Sequence, residues 1–144
     1  MNTNDYSTDP SNGRYDALNG LVLKGDGKGR FIPLSILQSG IFIPGNGKAL
    51  VKLRSSRGKF LLAAGQNKGP LKIFQFKTPG KTISLEPLDI SANILYRDGR
   101  HQKREINYGS SFLSQSGRFL NIDNNVTSVE IKNSTGDIRK INMQ

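Results

Sequence analysis

The chain has 144 residues, a net charge of +10, a single histidine and no cysteine. That length suits one domain or two small ones, and the missing cysteines exclude a disulfide framework, thiolate chemistry and His/Cys metal clusters. No apolar run approaches the ~20 residues of a membrane helix.

In chain order, the first stretch, "MNTNDYSTDPSNGRYD", is polar and lacks the apolar run of a signal peptide. Residues 1–15 read as a flexible lead-in, and the chain reads either as a cytoplasmic protein or as a piece of a longer exported one. Strands are predicted at 20–24 and 30–34, on either side of Asp26-Gly27. A second pair, 49–53 and 59–64, flanks the basic turn "RSSRGK", and a fifth strand, 71–76, follows Pro70. Asp-Gly, Asn-Gly and Arg-Gly steps between apolar runs supply the positive φ angles that tight hairpins need. The runs "GLVLK" and "FLLAA" are nearly continuous in apolar residues, as in strands covered on both faces.

The polar, Pro- and Gly-containing stretch "KTPGKTISLEP" marks a module boundary near 77–82. Five further strands are predicted beyond it, at 92–97, 103–108, 118–122, 127–132 and 137–142. In "TSVEIK" the alternation puts Val129 and Ile131 on a buried face. No segment carries an apolar stripe of helical period over helical length. The predicted fold is all-β, with antiparallel strands in two modules: 16–78, of stacked blade-like sheets, and 79–144.

The charge is one-sided. Every charged residue between Gly27 and Leu85 is Lys or Arg, eleven in all, more than the net charge of the whole chain. Such asymmetry points to an anionic partner, and the plain alternative is a solubilising surface. Lys48, Lys52, Arg54, Arg57 and Lys59 cluster on one predicted hairpin and are the first candidates to contact that partner.

Two segments resemble known families. "GLVLKGDGKGRF", "SGIFIPGNGKAL" and "LLAAGQNKGPLKIF" resemble the last blades of FG-GAP/VCBS-type β-propellers. "DGRHQKREINYGSSFLSQSGRFLNI" followed by "VTSVEIKNSTGDIRKI" is similar to the ASPIC/UnbV domain that often closes such bacterial proteins. The resemblance covers about residues 15–141. It implies export to the periplasm, outer surface or medium as part of a longer chain, and a non-enzymatic binding or scaffolding role with an acidic glycan or a protein as partner. Its alternative is a purely structural terminal domain.

Blades of this type often carry an acidic Ca²⁺ loop between two strands. Aligned on Gly58, its ligand positions fall on Leu53, Ser55, Arg57 and Leu61, none of them a carboxylate. Arg54, Arg57 and Lys59 repel a divalent cation, and the 25–29 loop offers only Asp26, so no metal and no cofactor are expected.

The remaining chemistry is weighed residue by residue. His101 beside Asp98 lacks a nucleophile pattern and reads as a solvated turn histidine, so no enzyme is expected. "GDGKGR" lacks the spacing of a phosphate loop. The segment 107–116, with Tyr108, Ser110, Ser111, Phe112, Ser114, Gln115 and Ser116, has the hydroxyl, amide and aromatic groups of a saccharide surface. The plainer reading has Ser114 and Gln115 tying a loop to backbone. Phe31, Phe42, Phe60, Phe74 and Phe76 interleave with basic residues but lie in apolar runs and read as core, so nucleic acid is not the expected partner. The glycosylation sequons at Asn125 and Asn133 read as chance matches in a bacterial chain.

Overall fold

The computed structural model describes residues 4–6, 8–77, 80–109 and 114–143. The fold is all-β and antiparallel, as the turn spacing predicts. Strands β1 (Val22–Gly25) and β2 (Phe31–Leu34) form a hairpin. β3 (Gly47–Arg54), β4 (Phe60–Gln66) and β5 (Lys72–Gln75) form a meander sheet in that order. β7 (Asp89–Tyr96), β8 (His101–Glu105), β10 (Val126–Asn133) and β11 (Ile138–Asn142) build a four-stranded sheet of order β11-β10-β7-β8. β6 (Gly80–Ser84) pairs with β9 (Phe119–Asp123) as a separate ribbon.

The turns share one construction. A short polar side chain at the first turn position accepts backbone N–H groups two or four residues on, which fixes the chain reversal locally. Asp26 accepts from Lys28 and Arg30, Asn133 from Thr135 and Asp137, and Ser55 from Lys59. Gly58, at φ +73°, takes the left-handed position in the basic turn. Those bonds close the turn, so Ser55 is committed to backbone. Leu53 and Leu61 are directly paired across the strands.

The β6–β9 ribbon separates two layers. One of its faces carries Ile83, Leu120 and Ile122 into the main core, with Ala92, Ile94, Val126, Val129 and Ile131. The other carries Thr82, Ser84, Phe119 and Asn121 toward the β3–β5 sheet. Thr82 donates to the Gly58 carbonyl at 3.1 Å, Arg54 donates to Ser84 Oγ at 3.3 Å, and the Phe119 ring lies edge-on to Phe60 at 6.1 Å. The alternation in "KTIS" and "FLNID" dictates this two-sided role.

The facing side of the β3–β5 sheet holds Leu50, Leu62 and Phe74, packed on a smaller core of Ile41, Ile43 and Ala64. Its other side carries Val51, Leu53, Leu61, Ala63 and Ile73, with Leu53 and Ile73 exposed.

The structure differs from expectation in five places. β6 falls in the stretch read as a boundary, because its five residues offer only one large apolar side chain, Ile83. A single helical turn, α1 (Ile36–Ser39), closes through a capping box of Ser35 and Gln38. It is too short to show periodicity. β1 is not covered on both faces: it belongs to a two-stranded hairpin, and Leu23, Phe31 and Ile32 are exposed. Phe31 and Phe42 are likewise surface residues rather than core. Part of the 1–15 lead-in is anchored. Buried Asn4 donates to the Pro44 carbonyl at 3.0 Å, and Asp5 and Tyr15 exchange backbone bonds of 3.0 and 2.8 Å.

Candidate functional site

The two halves meet along β3. Its outer edge at Lys52 is paired by segment 116–117: Lys52 N–H donates to Ser116 Oγ at 3.0 Å, and Gly117 N–H donates to the Lys52 carbonyl at 2.8 Å. Gly117 is required here by proximity, since a Cβ would lie 2.8 Å from the Phe119 ring.

Beside this junction opens a cleft of about 330 Å³, lined by Lys52, Phe60, Arg104, Glu105, Asn107, Gln115, Arg118, Phe119 and Asn121 among others. A second depression, of about 390 Å³, is lined by Arg57, Lys59, Phe60, Gln75, Phe76, Lys77 and Asn121 among others. Phe60 and Asn121 line both. Phe60 also stacks at 4.7 Å on Phe76, so an aromatic row of Phe76, Phe60 and Phe119 runs beneath the two.

The structure divides the candidates named from the sequence. Lys48 is engaged elsewhere, in a 2.9 Å ion pair with Asp5. Lys52 lines the cleft, Arg57 and Lys59 line the second depression, and Arg54 lines neither, donating instead to Ser84 Oγ. No carboxylate of the described residues pairs Lys52, Arg54, Arg57 or Lys59; exposed Lys24, Lys28, Arg30, Lys68, Lys77, Arg97 and Lys132 are likewise without one, whereas Arg14, Arg100, Lys103 and Lys140 each hold one.

Tyr108 is exposed, but one face of its ring is taken by the Arg118 guanidinium at 4.1 Å, and its hydroxyl donates to the Pro87 carbonyl. Gln115 spends its amide on backbone, accepting from Gly109 N–H at 2.7 Å and donating to the Ser116 carbonyl at 2.9 Å. Ser114 is half-buried and forms an isolated β-bridge outside the cleft lining. Ser110, Ser111 and Phe112 lie outside the described residues.

Sequence reading missed Arg104 and Arg118. Arg104 projects from β8, donating to the Asn121 carbonyl at 3.2 Å and to Gln102 at 3.3 Å. Arg118 gathers three carbonyls, those of Glu86, Pro87 and Asp89, on one nitrogen. Its Nε and Nη1 are buried with no hydrogen-bond partner. Both arginines lie in the half whose charges balance, so the search for a one-sided charge run passed over them.

His101 is exposed on β8, and the Asp98 carboxylate is held by Arg100 at 2.6 Å. That contact, chiefly the Arg100 side-chain hydrogen bond, holds the Asp98 carboxyl below its usual value. No group of three or more His, Asp or Glu gathers among the described residues. No described helix is long and apolar enough to cross a membrane.

Compared with protein-family models, curated proteins and solved structures, the chain matches none of them.

Proposed function

We propose that this chain is a non-enzymatic binding module, recognising an anionic partner, an acidic saccharide first, through the basic β3–β4 hairpin. The observation that carries the reading is the set of exposed cations Arg54, Arg57 and Lys59 without a carboxylate partner among the described residues. Cations held close together repel one another, and an oxyanion placed among them offsets that repulsion. In this reading the chain is the C-terminal part of an exported bacterial protein. The support is its likeness to FG-GAP/VCBS blades and ASPIC/UnbV domains, and a three-stranded meander is most of a four-stranded propeller blade.

The test is a titration of the labelled protein with a sulfated or uronic-acid oligosaccharide at physiological salt. Saturable amide shifts are expected at 54–60, and Arg54→Ala with Arg57→Ala is expected to weaken them. Unchanged binding in a folded double variant removes the assignment.

A second reading is favoured by the outer face of the β3–β5 sheet. Leu53 and Ile73 are exposed there, Ile73 by 59%. A structural terminal domain would dock such a face on a preceding blade and bind nothing itself. Silence toward every anionic saccharide would select it.

A further inference from the structure

We infer that the two depressions form one groove, and that its ligand is a linear oligosaccharide with acidic groups on at least two of its sugar units. The inference rests on the reading of the chain as a module for an anionic saccharide. It adds a location, at the meeting of the two halves, and a minimum number of acidic groups on the ligand.

The continuity is physical. Phe60 and Asn121 line both depressions, so the two adjoin along these residues. Cations gather at the two ends, with Arg57 and Lys59 at one and Lys52 and Arg104 at the other. None of these four has a carboxylate within ion-pair distance among the described residues. Glu105, the one acid lining either depression, is held by Lys103 at 2.7 Å. Two separated cationic ends suit a ligand with two separated anions better than one compact anion.

The middle of the groove is uncharged. Asn121 supplies an amide that both donates and accepts, as a hydroxyl-bearing sugar requires, and Phe60 supplies an apolar floor. Sequence-tolerant nucleic-acid grooves rely instead on exposed aromatic faces on which bases stack. Here Phe60 and Phe76 are half-buried against each other and Phe119 is buried. Base stacking has no platform, whereas sugar hydroxyls and the carboxylate or sulfate groups they accompany have partners.

Calorimetry on the whole chain at 0.15 M salt tests this with five probes: tetragalacturonate, digalacturonate, a heparin-derived tetrasaccharide, maltotetraose and a ten-nucleotide oligo-dT. An acidic tetrasaccharide is expected to bind and maltotetraose to be silent, with the two acidic probes telling carboxylate from sulfate. Arg57→Gln and Lys52→Gln, at opposite ends, are each expected to weaken the tetrasaccharide about tenfold, the effect of one charge-assisted hydrogen bond. Digalacturonate, with half the anions of the tetramer, is expected to bind more weakly. Arg104→Gln is the second variant for the Lys52 end, with thermal unfolding checking that each variant folds.

If tetrasaccharide affinity falls with Arg57→Gln but not with Lys52→Gln or Arg104→Gln, the groove is refuted while the hairpin module stands. If no acidic saccharide binds the wild-type chain, the module reading falls as well. Tighter binding of oligo-dT than of any saccharide overturns the ligand class.

Discussion

The two halves differ in how they are held. The C-terminal half closes a core of seven buried residues between the four-stranded sheet and the β6–β9 ribbon. The N-terminal half buries three in its own cluster. Of the fifteen large apolar residues exposed among those described, eleven precede residue 80, and Leu37 is 98% exposed. The difference teaches that the basic half is not self-sufficient. It borrows order from its neighbour through the Phe60–Phe119 contact, the Thr82 and Arg54 bonds and the pairing at Lys52.

The comparison breaks most sharply at the larger core. Ile94→Ala, at a fully buried position, is expected to cost about 3 kcal/mol in urea unfolding. Because the weaker half leans on the stronger, both should lose protection together in hydrogen exchange. Phe60→Ala comes next, at roughly 2 kcal/mol. Its expected signature is uneven: amides of β3–β5 exchange faster while those of β7 and β10 keep their protection. Equal loss in both halves would refute the asymmetry.

Arg118→Leu removes the donor that gathers three carbonyls and the cation over Tyr108. The expected cost is about 1–2 kcal/mol by thermal unfolding, and Tyr108→Phe should cost less. The smallest effect is one of acidity. Asp137 is held below its usual carboxyl value by hydrogen bonds, first from Thr135 and then from Asn133. A carboxyl depressed on folding contributes fully above the ordinary carboxylate range and loses that contribution as pH falls through its folded value. The β10–β11 turn should therefore loosen only in acid, seen as faster amide exchange at 133–137, and Asp137→Asn should flatten that response.

The strands and turns were legible because they are local. Asx-type turn residues, Gly-containing steps and period-two alternation place ten of the strands near their observed positions. The ribbon was not, since β6 finds its partner far along the chain and the segment between 77 and 82 looks like a linker. The cationic hairpin could be read from its charge run. The groove could not, because Arg104 and Arg118 come from a charge-balanced region and reach Lys52 only through the pairing of segment 116–117 with the edge of β3. Gln115 ties its loop to backbone as the plainer reading of the sequence has it, whereas the role of Tyr108 was hidden, because its partner Arg118 is set by a loop conformation that composition does not specify.

The pairing of Gly80 with Asp123 and Ser84 with Phe119 sets an order of assembly. During synthesis β6 leaves the ribosome about forty residues before β9, and closing so long a loop is slow compared with zipping a hairpin. The β3–β4–β5 meander and the β7–β8 hairpin each pair with sequence neighbours and form without waiting. Phe119 and Asn121 arrive only with β9, so the contacts of the meander with the ribbon form late. A newly made chain thus carries its charged hairpin before the ribbon it packs against, and refolding followed at Asn121 should lag refolding followed at Val51.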